Sequence, residues 1–340
     1  MSLKGGLIGC GFFAYNHLHA WRQLEGAEIV ALCDTNSERL DTASRQFGIE
    51  RTYLDARTLF ESERLDFVDI ATTVESHQPL VELAAAFGVP CICQKPFARK
   101  VGEAAAMVGA CRSAGIPLMV HENFRWQTPI QAVRRAIDEN AIGTPFWGRF
   151  SFRSAFDVYR AQPYLARGKR FIIEDLGIHI LDIARFVLGD VVRLSASIQR
   201  INPKIDGEDV ATILLVHESG STSIIDCSYA SARPEELFPQ TLIEIDGEEG
   251  SLKLDAGYKL TIHNARIGTR QVDCEPPLHE WAERPWFNIQ DSVLNIQEHW
   301  LECLRTGEDP QTSGRDNLRT LALVEAAYAA ASTGQAVEMM

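Results

Sequence analysis

Residues 9–14 read Gly9-Cys10-Gly11-Phe12-Phe13-Ala14, between a short apolar run at 6–8 and a helical pattern at 13–24. This is the spacing G-x-G-x-x-G/A, whose glycines let the chain turn tightly and let a pyrophosphate approach the backbone. The following helix offers N–H donors and the positive end of its dipole. We therefore expect Gly9, Gly11, Phe12 and Phe13 to contact a dinucleotide. The alternative for the hexapeptide alone is an ordinary strand-to-helix turn.

The sequence around this loop alternates between strand and helix patterns. Apolar runs lie at 6–8, 29–33, 67–71, 90–93 and 118–120, and helical patterns lie at 13–24, 37–47, 77–87 and 100–114. That alternation predicts a parallel sheet with right-handed crossovers. Residues 1–122 are therefore predicted to form a Rossmann domain that binds NAD, within an α/β protein.

An acidic residue accompanies the glycine loop. Asp34 ends the second predicted strand, where a carboxylate hydrogen-bonds the ribose hydroxyls of NAD. It would repel the 2′-phosphate of NADP, although Arg39 lies nearby. We expect NAD as the cofactor, with NADP disfavoured. The alternative role of Asp34 is to cap the helix predicted at 37–47.

The pattern changes after residue 122. A helix is predicted at 128–140 with Thr128 as its N-cap and Pro129 in its first turn, followed by a strand at 146–154, a charged loop at 155–171 and an apolar helix at 175–188. Further strands are predicted at 193–201, 210–217, 222–228, 241–246, 251–254, 259–263 and 270–274, and helices at 289–305 and 314–333. Residues 123–340 are therefore predicted to form an α+β domain for substrate binding and oligomerisation, with a large, mostly antiparallel open sheet.

Composition limits the class of protein. The chain has 340 residues, 46% of them hydrophobic, and a net charge of −13, which argues against nucleic-acid or anionic-membrane partners. No charged-then-apolar start and no apolar run long enough to span a membrane are visible. The 8 cysteines are scattered without a Cys-x-x-Cys pair. These features predict a cytoplasmic enzyme with reduced thiols.

A lysine follows the fourth predicted strand, in Gln94-Lys95-Pro96. Ligands of doubly wound sheets bind at the carboxyl ends of the strands. Lys95 is therefore predicted to point to the region of the nicotinamide, on a turn that Pro96 stiffens. The alternative is a solvated loop lysine.

A polar stripe marks the apolar helix at 175–188. Asp175, His179 and Asp182 are spaced i, i+4, i+7 and so share one face. Polar groups on a buried helix are costly unless they are paired or face a cavity such as a catalytic cleft. The alternatives are that Asp175 is an N-cap, that His179 is a hydrogen-bonded core residue, or that the two share a metal ion. No further ligand cluster supports a metal, so none is expected.

The glycine loop, Asp34, the Thr72/His77 segment, the Lys95-Pro96 turn and the histidine helix together resemble the Gfo/Idh/MocA family. That family includes glucose-fructose oxidoreductase and inositol dehydrogenase, and the resemblance covers nearly the whole chain. The family pattern is Glu-Lys-Pro, whereas this chain has Gln94-Lys95-Pro96. Glutamine keeps a hydrogen bond to the cofactor but removes a charge beside the lysine.

The resemblance implies a proton-handling group of Lys95, Asp175 and His179. His179 would take the hydroxyl proton, Lys95 would stabilise the developing alkoxide, and Asp175 would orient the group. Asp182 is expected to support the helix. Thr72, His77, Gln94, Lys95 and Asn123 complete the expected cofactor contacts; for His77 a purely structural role is the alternative.

Other polar residues are candidates for substrate contacts. The segment that contains Asn123 and Arg125 follows the last Rossmann strand and is expected at the cleft between domains, where both residues could instead form salt bridges. The loop at 155–171 and its flanks are rich in polar and aromatic residues, as sugar-binding loops are, or are simply solvated. These residues are Arg153, Asp157, Tyr159, Arg160, Lys169 and Arg170. Together with Lys95, Asp175 and His179, the predicted substrate contacts are Arg125, Arg153 and Asp157.

The predicted reaction is hydride transfer to NAD from a sugar or polyol, giving an aldonolactone or a ketone. Within the family, the stretches 122–127 and 146–162 are most similar to sugar dehydrogenases of the D-apiose type. The alternatives are an imine- or enone-reducing or non-redox enzyme on the same fold, and a non-enzymatic regulator, which would be free to lose Lys95, Asp175 and His179. A homodimer or homotetramer is expected from the open sheet of the family.

Overall fold

The computed structural model describes residues 2–160 and 162–339. Met1 and Met340, at the ends of the two predicted domains, and Ala161 in the predicted loop lie outside those residues. The described chain divides into two compact units. The first unit consists of two segments, the residues up to Asn123 and Val293–Leu321. The second unit consists of Phe124–Ser292 and the segment from Ala322 onwards.

The first unit is built on a parallel sheet in the order β3-β2-β1-β4-β5-β6. Its strands are β1 (Leu3–Ile8), β2 (Ala27–Cys33), β3 (Arg51–Tyr53), β4 (Phe67–Ile70), β5 (Cys91–Gln94) and β6 (Leu118–His121). Its helices before residue 123 are α1 (Ala14–Gln23), α2 (Ser37–Phe47), α3 (Ala56–Ser62), α4 (His77–Phe87) and α5 (Val101–Ala114), with a 3₁₀ turn at Val74–Ser76. This strand order is that of two mononucleotide-binding halves side by side, so the predicted Rossmann fold is confirmed.

Strand β3 and helix α3 were not predicted. Two of the three residues of β3 are exposed and the third is half-buried, so no apolar run marks the strand. The central strands are different, because their side chains are packed under helices on both faces and their sequences are continuously apolar. Strand β3 lies at the edge of the sheet, where fewer of its side chains are buried and its sequence need not be apolar.

The second unit is built on a nine-stranded sheet in the order β14-β13-β12-β11-β7-β10-β9-β8-β15. Its strands are β7 (Pro145–Arg153), β8 (Val191–Gln199), β9 (Val210–His217), β10 (Thr222–Ser228), β11 (Leu242–Gly247), β12 (Gly250–Asp255), β13 (Lys259–Asn264), β14 (Gly268–Asp273) and β15 (Val337–Glu338). Strands β7 and β10 pair in parallel and the other neighbours are antiparallel. The mostly antiparallel sheet is therefore confirmed, and only the two-residue β15 was not predicted.

Apart from parts of the last two helices, the helical segments of the second unit lie before β7 and between β7 and β8. They are α6 (Thr128–Asp138), 3₁₀ turns at Val158–Arg160 and Pro163–Arg167, a π-helical turn at Ile173–Gly177 and α7 (Ile178–Leu188), and a further 3₁₀ turn spans Asn123–Trp126. The predicted N-cap of α6 is wrong: the cap is Gln127, and Thr128 is already helical. The hydroxyl of Thr128 donates to Asp291 Oδ2 at 2.7 Å instead of capping the backbone.

The two last helices, α8 (Phe287–Thr306) and α9 (Gly314–Thr333), contain the later boundaries between the units. Residues 293–321 group with the Rossmann unit, whereas the predicted division into 1–122 and 123–340 places them in the second domain. The amide of Val120 donates to the carbonyl of Thr312 at 2.8 Å, and Met119 pairs with Ser313. The last segment thus extends the edge of the sheet at β6, a long-range pairing that local patterns do not reveal. In the described ranges, no helix is long and apolar enough to cross a membrane.

Candidate active site

The glycine loop connects β1 to α1 and is shaped by the neighbouring strands. Gly9 has φ +99°, and its amide donates to the carbonyl of Cys33 at 2.7 Å. A Cβ atom at Gly9 would meet the carbonyl oxygen of Ala71 at 2.7 Å, so only glycine fits at this position. A Cβ atom at Gly11 would meet nothing within 4 Å. The backbone at Gly11 is therefore open to a ligand.

The residues after Gly11 begin a helix that no side chain caps. The N-cap of α1 is Phe13, whose side chain accepts no capping hydrogen bond, and the neighbouring Phe12 is 57% exposed. A helix N-terminus without a side-chain cap offers its first N–H groups to an anion. This loop fits a dinucleotide pyrophosphate, as the sequence predicts.

Asp34 joins the glycine loop to the second helix. Its Oδ2 accepts from the amide of Cys10 at 2.6 Å, and its Oδ1 accepts from the amide of Asn36 at 2.7 Å. The N-cap of α2 is Asn36, which accepts from the amide of Arg39, so the capping alternative for Asp34 does not hold. A carboxylate has about four lone-pair sites. Asp34 can therefore bind both amides and still accept from ribose hydroxyls.

His77 holds together two loops at the carboxyl end of the sheet. Its Nδ1 lies 3.1 Å from the carbonyl oxygens of both Pro96 and Phe97, and its Nε2 lies 3.2 Å from that of Thr72. The side chain is 1% exposed, and burial lowers its pKa, although the three carbonyl groups oppose that change. Both ring nitrogens face the backbone, so the structure favours the structural alternative for His77. Thr72 additionally accepts from Ser76 Oγ at 2.8 Å.

Gln94 ends β5 and is buried. Its Oε1 accepts from the amide of Lys95 at 2.6 Å, and its Nε2 lies 3.0 Å from His17 Nε2. The carboxamide is thus engaged inside the first unit rather than aimed only at a cofactor. Lys95 follows on the half-buried turn. Asn123, the last residue of this unit before the break at 123/124, is buried as well.

In the second unit, Asp175 lies in the π-helical turn and not at a helix N-cap. The amide of Asp175 donates to the carbonyl of Phe171 at 2.8 Å. Buried Glu208 supports this turn, because its Oε1 accepts from the amides of Phe171 and Ile173 at 3.1 and 3.4 Å. The hydroxyl of Tyr328 donates to the same oxygen at 2.6 Å. Sequence reasoning missed this support, which joins residues far apart in the chain.

His179 lies in the first turn of α7 and is 3% exposed. Its ring stacks on Phe124 with centroids 3.9 Å apart and planes 7° apart. Phe124 in turn contacts Phe152, and Phe152 contacts Tyr229 edge to face. His179 therefore belongs to an aromatic wall, and the stack fixes the plane in which its imidazole can exchange a proton.

Two tyrosines lie within electrostatic reach of Asp175. Burial and then the charge of Asp175 raise the pKa of Tyr229 well above its usual value. Burial, followed by the charges of Asp209, Asp157 and Asp175, raises the pKa of Tyr159 to about 12, although a hydrogen bond with Asn202 opposes this. Both hydroxyl groups therefore stay protonated at neutral pH. Tyr159 was among the loop candidates, whereas Tyr229 was missed because it follows a strand without any local motif.

Arg125 and Asp182 form a buried ion pair. Arg125 Nε and Nη2 donate to the two oxygens of Asp182 at 2.7 and 2.6 Å, and Arg125 also lies over the Phe186 ring at 5.1 Å. The guanidinium is 5% exposed and the carboxylate 0%. This pair ties the segment after β6 to α7, as expected for Asp182, and two of the donors of Arg125 are committed to it.

The structure does not bring Arg153 to His179. Arg153 and Arg149 both donate to Asp226 on the neighbouring strand. Successive residues of a strand point to opposite faces of the sheet, so Arg153 lies on the face opposite Phe152, which contacts Phe124. Asp157 is exposed, and its charge contributes to the raised pKa of Tyr159.

Potential metal ligands and cysteines are the other groups that could carry chemistry. Within 2–160 and 162–339, no group of three or more His, Cys, Asp or Glu side chains is arranged to hold a metal ion. All eight cysteines lie buried with free thiols. Burial raises the pKa of Cys10, next to the glycine loop, to about 12, so this thiol is not a nucleophile.

The strand order, the glycine loop and Asp34 define a dinucleotide-binding protein of the dehydrogenase class. Residues 3–122 match the model of the oxidoreductase family with an NAD-binding Rossmann fold, and residues 130–253 match the C-terminal domain of Gfo/Idh/MocA proteins. The chain belongs to the Gfo/Idh/MocA family of NAD-binding oxidoreductases.

Three proteins illustrate how similar the relatives are. The chain is 66% identical to a D-apiose dehydrogenase from Paraburkholderia graminis, over 99% of this chain and 89% of that protein. It is 60% identical to a D-apiose dehydrogenase from Rhizobium rhizogenes, over 99% and 97%. A crystal structure of an oxidoreductase from Agrobacterium radiobacter, in complex with NAD+, L-tartaric acid and magnesium, superposes with a TM-score of 0.98 at 60% identity, covering 99% of this chain and 98% of that one.

Proposed function

We propose that this chain oxidises D-apiose at its hemiacetal carbon to the corresponding aldonolactone, with NAD as the cofactor. The observation that carries the proposal is the identity of 66% and 60% to two D-apiose dehydrogenases, each over 99% of the chain. An alignment over 99% of the chain covers both units and the predicted site residues. The open backbone at Gly11 supports binding of a dinucleotide, and the carboxylate of Asp34 supports the choice of NAD over NADP.

The protein residues divide the reaction among them. When bound, NAD accepts the hydride that leaves the substrate carbon. An imidazole nitrogen of His179 takes the proton of the anomeric hydroxyl, so that the C–H and O–H bonds break and a C=O bond forms. The ammonium of Lys95 stabilises the negative charge on that oxygen. Asp175 orients the proton-handling group, with the tyrosines as neutral donors beside it.

The remaining predicted contacts take supporting roles in the proposal. Asn123, on the Rossmann unit, binds the cofactor amide or a sugar hydroxyl. Arg125 acts mainly through Asp182, since both its Nε and Nη2 are bound there. Asp157 is retained as a sugar contact because its exposed loop also carries Tyr159.

The test measures the absorbance of newly formed NADH with D-apiose, D-xylose, levoglucosan and myo-inositol, using NAD and then NADP. We expect D-apiose with NAD to give the highest kcat/KM. Lys95→Ala and His179→Ala should lose turnover by about 10²–10⁴-fold while still binding NADH. Turnover of another sugar in preference to D-apiose would refute the substrate assignment. Binding of NADH without turnover of any sugar would instead favour a regulator or a non-redox enzyme.

We further propose a cytoplasmic homodimer or homotetramer. The eight buried free thiols suit a reducing compartment. On one face of the sheet, Leu214 is 47% exposed and lies opposite Ile224 on β10. An apolar row of this kind on an open sheet suits a protein interface. Light scattering on the purified protein measures the state, and a monomer would contradict the proposal.

A further inference from the structure

A buried histidine connects four elements of the Rossmann unit. His17 on α1 is 0% exposed, and its Nδ1 lies 2.8 Å from Asp69 Oδ2. Trp21, one turn later on α1, donates its Nε1–H to the same oxygen at 2.7 Å. On the other side of the ring, His17 Nε2 lies 3.0 Å from Gln94 Nε2.

Asp69 is unusual for its position. It lies inside β4, beside Leu7 of β1 and Ile92 of β5, in the middle of the parallel sheet. A buried carboxylate is costly unless hydrogen bonds compensate it, and Trp21 and His17 supply those bonds. Because a carboxylate only accepts, the ring of His17 presents Nδ1–H to Asp69.

The tautomer of His17 then determines the orientation of Gln94. With the proton on Nδ1, the neutral ring has a lone pair on Nε2, which accepts from the amide nitrogen of Gln94. That orientation directs Gln94 Oε1 to the amide of Lys95, the contact observed at 2.6 Å. Each donor in the chain Lys95, Gln94, His17, Asp69 thus faces one acceptor, and only one arrangement of protons and amide atoms satisfies all of them.

Ring contacts hold His17 in this orientation. It stacks on His121 at the end of β6, with centroids 4.1 Å apart. Phe13 from the glycine loop packs edge-on against both rings, at 5.5 and 6.5 Å. The plane of His17 is therefore coupled to the glycine loop on one side and to the Lys95 turn on the other.

We propose that His17 and Asp69 are positioning residues for Lys95, and that they require a carboxamide at residue 94. This inference rests on the proposed function, in which Lys95 stabilises the substrate oxygen. A glutamate at position 94 would present only acceptor atoms to the lone pair of His17 Nε2. Binding would require an added proton, which the imidazole, the more basic of the two groups, would take to become an imidazolium held between two carboxylates.

Two substitutions at His17 separate its two hydrogen bonds. His17→Asn places an amide nitrogen where Nδ1 lies, so it keeps the hydrogen bond to Asp69 and loses the hydrogen bond to Gln94. His17→Gln places an amide oxygen where Nε2 lies, so it keeps the acceptor for Gln94 and loses the hydrogen bond to Asp69. We expect His17→Asn to lower kcat by about 3–10-fold, as for one lost neutral hydrogen bond, with the KM for sugar and the Kd for NADH unchanged. His17→Gln should lose less kcat, despite a lower Tm.

A spectroscopic measurement on the intact protein tests the tautomer independently of turnover. Nitrogen-15 NMR of the histidine rings, with the His17 signal assigned by its loss in His17→Asn, should show one protonated and one unprotonated nitrogen. In Gln94→Glu both nitrogens should become protonated. The proposal is overturned if wild-type His17 is doubly protonated at neutral pH, if Gln94→Glu leaves its signal unchanged, or if both His17 variants lower Tm with kcat intact.

Lys95→Ala separates this proposal from the proposed function. If Lys95→Ala turns over sugar like the wild type, the catalytic assignment of Lys95 fails and positioning of that residue fails with it, whatever the NMR spectrum. If Lys95→Ala is inactive while His17→Asn keeps full kcat, the proposed function stands and the positioning role alone is overturned.

Discussion

Asp34 and His77 in the Rossmann unit are held differently from Arg125 and His179 in the second unit. In the Rossmann unit, Asp34 and His77 bind backbone amides and carbonyls of the loops at the ends of the strands. In the second unit, Arg125 and His179 are held by other side chains, those of Asp182 and Phe124.

This difference in the kind of contact predicts how a substitution affects each group of residues. Backbone contacts depend on chain geometry, so a single residue with the wrong conformation disturbs the loop. Side-chain contacts depend on both partners, so the loss of one leaves the other buried without compensation. The following experiments test this contrast.

The largest effect is expected from Asp182→Ala. It leaves the guanidinium of Arg125 buried without its carboxylate, and we expect the free energy of unfolding to fall by about 3–5 kcal/mol. Urea denaturation measures this change. The double variant Arg125→Met, Asp182→Leu should recover most of the loss. A fall in Asp182→Ala of under about 1 kcal/mol would mean that the pair behaves as an exposed one.

Substitutions in the glycine loop should separate folding from binding. Gly9→Ala forces a Cβ to 2.7 Å from the carbonyl oxygen of Ala71 at a φ of +99°, and should lower the free energy of unfolding by about 1–3 kcal/mol. Gly11→Ala meets no protein atom and should change stability by less than about 0.5 kcal/mol. Its Kd for NADH, from fluorescence titration, should nevertheless rise. Equal effects of the two variants on Tm would contradict this separation.

Cofactor choice depends on Asp34. Asp34→Ala should weaken NADH binding by about 10–100-fold, as for lost hydrogen bonds to a charged group, and should narrow the preference for NAD over NADP. Asp55→Ala is a matched control, because Asp55 also accepts a backbone amide, that of Thr58, as the N-cap of α3. The control should lose about 1 kcal/mol of stability with its NADH affinity unchanged. An unaltered ratio of NAD to NADP affinity in Asp34→Ala would exclude the role of the carboxylate.

The smallest effect concerns Asp226, a buried carboxylate whose arginine partners are more exposed than Arg125. Burial raises its pKa, but hydrogen bonds from Arg149 and Arg153 outweigh burial and hold the pKa below the usual 3.8. This stabilisation is complete above pH 3.8 and disappears as pH falls through the lowered folded-state pKa. The stability difference between wild type and Asp226→Asn, from denaturation at a series of pH values, should therefore shrink only in acid. A stability difference that grows on acidification would mean that the pKa of Asp226 is raised in the folded protein and not lowered.

Several elements of the site could be found from the sequence because their causes are local. The glycine loop, Asp34 and the Lys95 turn lie where strands end, and strands of a buried parallel sheet are marked by continuous apolar runs. A local signal for His17 and Asp69 also existed. A charged residue inside the apolar run at 67–71 required a buried partner, and His17 and Trp21 lie one turn apart on α1.

By itself, the sequence determined the fold class, the strands of the described residues other than β3 and β15, the NAD-type loop and the residues that carry the proposed chemistry. The tertiary structure alone decided which side chains and segments contact each other. It assigned Arg153 to Asp226, Arg125 to Asp182, 57 residues away, and residues 293–321 to the Rossmann unit. The physical reason is that local patterns report burial and backbone conformation, whereas pairing depends on which distant side chains the folded backbone brings within hydrogen-bond distance.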